Sequence, residues 1–161
     1  MYSIKNIGRI LQCQRPAAFA CIRGTSKYPD ITGCIHFYSV GCDVLVAVTV
    51  DGLHYTDQMG HSILGFHIHE GDSCSGNEED LLADTKGHFN PDGFLHPYHA
   101  GDLAPLFVND GTSFMAMVTN RFQVCEILNR TVVIHSMPDD FHSQPAGNSG
   151  EKIACGKIYR M

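Results

Sequence analysis

The strongest constraint on the fold is a recurrence of short apolar runs, each of strand length, rich in β-branched residues and closed by turn formers. They read AFACIRG (18–24), ITGCIHFYSV (31–40), CDVLVAVTVDGL (42–53), GFHIHE (65–70), LAPLFVND (103–110), TSFMAMVTN (112–120), RTVVIHSM (130–137) and KIACGKIY (152–159). This pattern predicts about eight strands and no helix. DVLVAVTV alternates in part, and Asn109-Asp110-Gly111 between two runs is a hairpin signal. An all-β antiparallel sandwich or barrel follows. At 161 residues and 43% hydrophobic content the chain can bury one core without repeats or partners. Residues 1–16 are expected as an N-terminal extension and 17–161 as the domain.

Two stretches break the strand pattern, residues 71–102 and 138–151, both rich in Gly, Asp, Pro, Asn and Ser. Loops this long in a compact domain are usually functional or disordered, and the first holds His88, His96, His99 and Asp102. In GFHIHE, His67 and His69 are two residues apart, so a strand directs both imidazoles to one face, about 6.5 to 7 Å apart. That pair alone fits either a metal site or two histidines satisfied by neighbouring carbonyls. The set decides: of ten histidines, six fall in three groups, His67 with His69, His88 with His96 and His99, and His135 in a late strand. Neutral imidazoles suit copper and zinc, and a carboxylate such as Asp102 can complete a tetrahedral zinc set. His36, His54, His61 and His142 lack partners at ligand spacing and read as ordinary surface or strand residues.

The ordered motifs GFHIHEGDSC, GHFNP, HPYHAGD, VVIHSMPDD and GNSGEKIACG resemble the copper/zinc superoxide dismutase family over roughly residues 17–159. The resemblance is to a bacterial-type member with a shortened zinc loop. It implies a Greek-key β-sandwich or barrel with the metal site on its outer face, enclosed by the two long loops. It implies copper on His67, His69, His88 and His135, and zinc on His88, His96, His99 and Asp102. His88 would bridge the metals, and its imidazolate would be protonated and released from copper in the reduced state. Asp139 of SMPDD would bond to one ligand of each metal, orienting the imidazoles. The implied reaction converts two superoxide anions and two protons to dioxygen and hydrogen peroxide by Cu(II)/Cu(I) cycling.

The same resemblance places a disulfide between Cys74 and Cys155, with Cys13, Cys21, Cys34, Cys42 and Cys125 unpartnered. Where the family usually carries an arginine that draws the anion toward copper, this chain has Lys152. The swap keeps the charge but loses the planar donor fork, and Glu151 beside it weakens the local field. Only Pro97 and Tyr98 separate His96 from His99, so the zinc loop is compact, and residues 54–64 receive no chemical role.

The net charge of -6, a pI near 5.9 and 11 Lys+Arg without a basic cluster exclude nucleic acid and anionic membrane surfaces as expected partners. No stretch reaches membrane-spanning length, and the start of the chain does not read as a signal peptide, Gln12 and Gln14 interrupting its apolar run. With seven cysteines and no CxxC pair, a reducing, cytoplasmic location is expected, export remaining open if the true start differs. A homodimer is compatible with this reading. Two functions stand: a dismutase, or a copper/zinc storage or delivery protein on the same scaffold. The missing CxxC or CxC segment and the complete ligand set favour the enzyme.

Overall fold

The computed structural model describes residues 3–54 and 62–161. The strands are β1 (Ala18–Gly24), β2 (Thr32–Val40), β3 (Asp43–Asp51), β4 (Ile63–Leu64), β5 (Phe66–His69), β6 (Leu106–Phe107), β7 (Ser113–Thr119), β8 (Thr131–His135), β9 (Lys152–Lys157) and β10 (Tyr159–Arg160). Eight of them form one antiparallel sheet, ordered β5-β8-β9-β1-β2-β3-β7 with β10 added to β1, that curls into a half-barrel. The chain leaves β3 near one end of this sheet for β5 at the other and crosses back between β7 and β8. Those long crossings are the Greek-key connections. Of residues 54–64, for which the sequence offers no role, residues 55–61 lie outside the described residues.

Alternation decides which face is core. Val44, Val46, Val48 and Val50 of β3 point inward with Phe66 and Ile68 of β5 and Ile134 of β8, while Thr49 and Asp51 are exposed. The opposite face of β5 and β8 is left for His67, His69 and His135.

The expectation of no helix is corrected. Residues Ile4–Cys13 form α1, whose Ser3 cap accepts a hydrogen bond from Asn6 N at 3.2 Å. Ile7, Ile10 and Leu11 fall on one helical face and pack against Tyr38, Leu45 and Ala47 on the outside of β2 and β3. Leu45 and Ala47 are thereby buried although they point away from the main core. A second helix, α2 (Val124–Ile127), is a single turn closed by a capping box of Gln123 and Glu126. It is too short for apolar periodicity to reveal.

The predicted turn forms with Asp110 and Gly111 both at positive φ, and Asn109 and Thr112 exchange backbone bonds at 2.7 and 2.9 Å. Its flanks part company, however: β6 pairs with β4 and β7 with β3.

Cys74 and Cys155 are joined by a disulfide that ties the loop after β5 to β9 across a sequence separation of 81. Closing a loop of that length removes about 4.5 kcal/mol of unfolded-chain entropy in the loop-closure model. Cys13, Cys21, Cys34, Cys42 and Cys125 are free.

Candidate metal centre

All four residues of β5 are buried, His67 and His69 on the side opposite Phe66 and Ile68. Their ring centroids stand 6.4 Å apart. His135 comes from β8, next to β5, where the pairing with β9 slips: Ile134 faces Ala154 but His135 faces Lys152. Such a bulge re-aims the side chain that follows it, and His135 Nε2 lies 3.2 Å from His69 Nε2.

The first long loop supplies the rest by lying along the free edge of β5. Ile68 N donates to Gly101 O, Phe89 N to Ile68 O and Gly101 N to Phe89 O, at 2.8 to 2.9 Å. This backbone pairing sets His88 opposite His69 and Asp102 opposite His67. The compact segment is held from outside as well. Arg121 Nη1 donates to the carbonyls of Pro97, His99 and Asp102 at 3.2, 3.4 and 3.2 Å, and Gln144 of the second loop makes two bonds to the His96 backbone.

The result is two contiguous groups among the described residues: His67, His69, His88 and His135, and His88, His96, His99 and Asp102. In each, the potential ligand atoms lie within 4.8 Å of one another, and every residue is buried. His88 belongs to both. Its Nδ1 lies 2.8 Å from Asp102 Oδ1 and 3.4 Å from His99 Nδ1, while its Nε2 has no hydrogen-bond partner. The three separated histidine groups of the sequence, with Asp102, thus converge, the short spacing of His96, His99 and Asp102 included.

Asp139 lies between the groups. Its Oδ2 is 2.8 Å from His67 Nε2, its Oδ1 2.8 Å from His96 Nε2, and Oδ1 also accepts from Phe141 N. A Cβ at Gly147 would collide with this carboxylate and with His96 Nε2, and its φ is positive, so glycine is required there.

Burial and these bonds select the charge states. Burial holds His67 down at about 4, against the pull of Asp139, and puts His69 and His135 well below the usual histidine range, with neighbouring histidines adding to the effect. For Asp139 burial pushes upward, yet the bonds from His67, Phe141 N and His96 outweigh it and hold the carboxyl far below normal. Asp102 follows the same logic through His88. Neutral imidazoles and ionised carboxylates are the forms that bind metal.

A metal fits this donor set. Among the buried atoms without a hydrogen-bond partner are His67 Nδ1, His88 Nε2 and His135 Nδ1, while Nε2 of His67 and of His96 bonds Asp139 and the His96 Nδ1 faces Asp102 Oδ2 at 3.2 Å. His69 likewise bonds Lys86 O through Nδ1, leaving Nε2 to the group. Unpartnered buried nitrogens are costly unless a ligand takes them.

Lys152 stands beside His135 in the register, but its amine is engaged by Asp80 Oδ2 at 2.7 Å and Leu82 O at 3.1 Å. Glu151 points to Lys27 at 2.6 Å instead. The acid that screens Lys152 is therefore Asp80, distant in sequence. Neither it nor Arg121 has a sequence signature, since both act through partners far along the chain. His36 is half-buried on β2, and His54 and His142 are exposed and belong to neither group; His61 lies outside the described residues.

The copper/zinc superoxide dismutase family model matches residues 31–158. Superoxide dismutase (Cu-Zn) 2 of Aquifex aeolicus is 33% identical over 144 residues, covering 80% of each chain. The Schizosaccharomyces pombe Cu-Zn superoxide dismutase is 34% identical over 158 residues, covering 88% of this chain and 96% of the relative. The crystal structure of a double mutant of a SOD-like protein from Bacillus subtilis superposes with a TM-score of 0.69 at 29% identity, covering 88% of this chain and 96% of that one. With the half-barrel, the paired buried donor groups and the loop disulfide in agreement with these matches over most of its length, the chain belongs to the copper/zinc superoxide dismutase family.

Proposed function

We propose that the protein disproportionates superoxide to dioxygen and hydrogen peroxide, with copper held by His67, His69, His88 and His135 and zinc by His88, His96, His99 and Asp102. The observation that carries this reading is the sharing of His88 by two buried donor groups, with His67 Nδ1, His88 Nε2 and His135 Nδ1 left without a hydrogen-bond partner. Copper, when bound, supplies the one-electron Cu(II)/Cu(I) exchange that oxidises one superoxide and reduces a second. The chain supplies orientation and protons. Asp139 accepts from Nε2–H of both His67 and His96, which leaves Nδ1 of each for metal and couples the two groups. His88, whose Nδ1 lies among the zinc-side donors Asp102 and His99, can take a proton at Nε2 and return it to the reduced substrate. Lys152 attracts the anion from beside His135, and against a net charge of -6 that local field matters more than the total.

One observation favours the alternative, a copper/zinc storage or delivery protein: Asp80 neutralises Lys152 and weakens the attraction for superoxide. We read residues 17–161 as the catalytic unit and residues 1–16 as an appended segment. Five free cysteines support a cytoplasmic, reducing location, and the exposed Phe94, Leu95 and Tyr98 support self-association as a homodimer. No helix among the described residues is long and apolar enough to cross a membrane.

Stopped-flow consumption of superoxide by the copper- and zinc-reconstituted protein, beside His135→Ala, tests the reading. Rapid consumption that His135→Ala abolishes is expected; copper binding without turnover would promote the storage reading.

A further inference from the structure

A second pair of reactive side chains stands on the sheet, apart from the metal groups. Cys21 of β1 and Cys34 of β2 are direct Cα partners in the antiparallel register, and neither takes part in the Cys74–Cys155 bond. The parity of the ladder defines their relation. Gly24 N donates to Ile31 O at 2.9 Å, so 24 and 31 are a hydrogen-bonded pair. Three steps along, 21 and 34 fall on a non-hydrogen-bonded pair. There the Cα atoms stand about 4.5 Å apart and the side chains approach most closely, within the span of about 4.4 to 6.8 Å that a disulfide bridges. Both side chains are on the face away from the core, because Ala20, Ile22 and Ile35 occupy the other.

The two thiols differ in a useful way. Cys21 is exposed and meets reagents in solvent, whereas Cys34 is half-buried. Burial pushes the Cys34 thiol up, with the adjacent Cys21 and Asp51 adding to it. An accessible thiol that reacts first and a shielded one directly behind it are the two parts that intramolecular disulfide formation needs.

We propose that Cys21 and Cys34 form a thiol–disulfide couple that takes hydrogen peroxide as oxidant and a thiol as reductant. The Cys21 thiolate attacks one peroxide oxygen; the O–O bond breaks, leaving a sulfenic acid on Cys21 and releasing one water. The Cys34 sulfur then attacks the Cys21 sulfur, the S–S bond forms, the S–O bond breaks, and the departing hydroxide takes the Cys34 thiol proton and leaves as the second water. Two thiols lose two protons and two electrons, and one peroxide becomes two waters. Two external thiols reverse the oxidation by exchange through exposed Cys21. Peroxide is the product of the proposed dismutase reaction, and that source rests on the dismutase reading. The couple itself does not, since added peroxide drives it directly.

The test treats the purified, metal-loaded protein with equimolar hydrogen peroxide, blocks remaining thiols by alkylation and reads each cysteine by peptide mass spectrometry. Cys21 and Cys34 are expected to leave the alkylatable pool together and to appear as one linked species lighter by two hydrogens. Cys13, Cys42 and Cys125 serve as internal controls and stay alkylatable, and added dithiol restores the pair. In Cys34→Ser, a trappable sulfenic acid should remain on Cys21; in Cys21→Ser, Cys34 should stay reduced. Independent oxidation of Cys21 and Cys34 at the pace of Cys42, without a linked species, would overturn the proposal. So would a linked species that persists in Cys21→Ser, since another cysteine would then be the partner.

Discussion

The two donor groups share His88 but are built by different means. Three members of the four-histidine group, His67, His69 and His135, stand on adjacent strands, and strand pairing with a single bulge aims them. The other three members of the second group, His96, His99 and Asp102, stand on a loop without regular structure, held by β5 edge pairing, Arg121, Gln144 and Asp139. Strands position side chains by the same hydrogen bonds that make the fold, whereas a loop needs contacts dedicated to it. Loss of a clamp should therefore damage the second group first.

Acid offers the largest way to break the comparison, through the strand-built group. In the metal-free protein His67 stays neutral down to about 4, while in the unfolded chain it takes a proton near 6.5. The unfolded state thus binds protons first, and stability falls as pH drops from 6.5 toward 4. His67 alone contributes about 3 kcal/mol of that loss, which chemical denaturation at several pH values would measure. Stability that is flat over this interval would mean that the histidines are not buried neutral.

Next in size is Asp139→Ala. Removing the shared carboxylate should weaken zinc binding by about 10- to 100-fold and copper binding by less, read by competition with chelators. Equal loss at both groups would show that strand geometry does not protect the first.

How much of this was legible beforehand differs by region. The alternating runs carry most of the strands, and the histidine grouping singles out His67, His69, His88, His96, His99 and His135 with Asp102, because side-chain chemistry and period-two geometry are local; Asp139 and the division into two metal sets rest on the family resemblance alone. Helix α1 escapes a strand-pattern reading although Ile7, Ile10 and Leu11 repeat at helical spacing; Leu45 and Ala47, apolar at outward positions of β3, are the second signal. Arg121 and Asp80 left no trace at all. Arg121 recognises backbone carbonyls, which every residue has, and Asp80 meets Lys152 across 72 positions.

Arg121→Ala should then cost about tenfold in zinc affinity, through loss of three carbonyl contacts, while copper binding stays within about twofold. The smallest effect belongs to the approach path. Asp80→Asn frees the charge of Lys152 and should raise the rate of superoxide consumption about twofold at low salt, the gain vanishing at high salt. A salt-independent gain would point to a change in the centre itself.

The two groups share one histidine yet stand on separate supports, and His99→Ala tests that separation most directly because His99 belongs to the loop-built group and not to the strand-built one. Copper and zinc would be counted per chain after reconstitution with both metals. One of each in the unaltered protein, and copper retained with zinc lost in the variant, is the predicted result. Loss of both metals together, or retention of both, would contradict it.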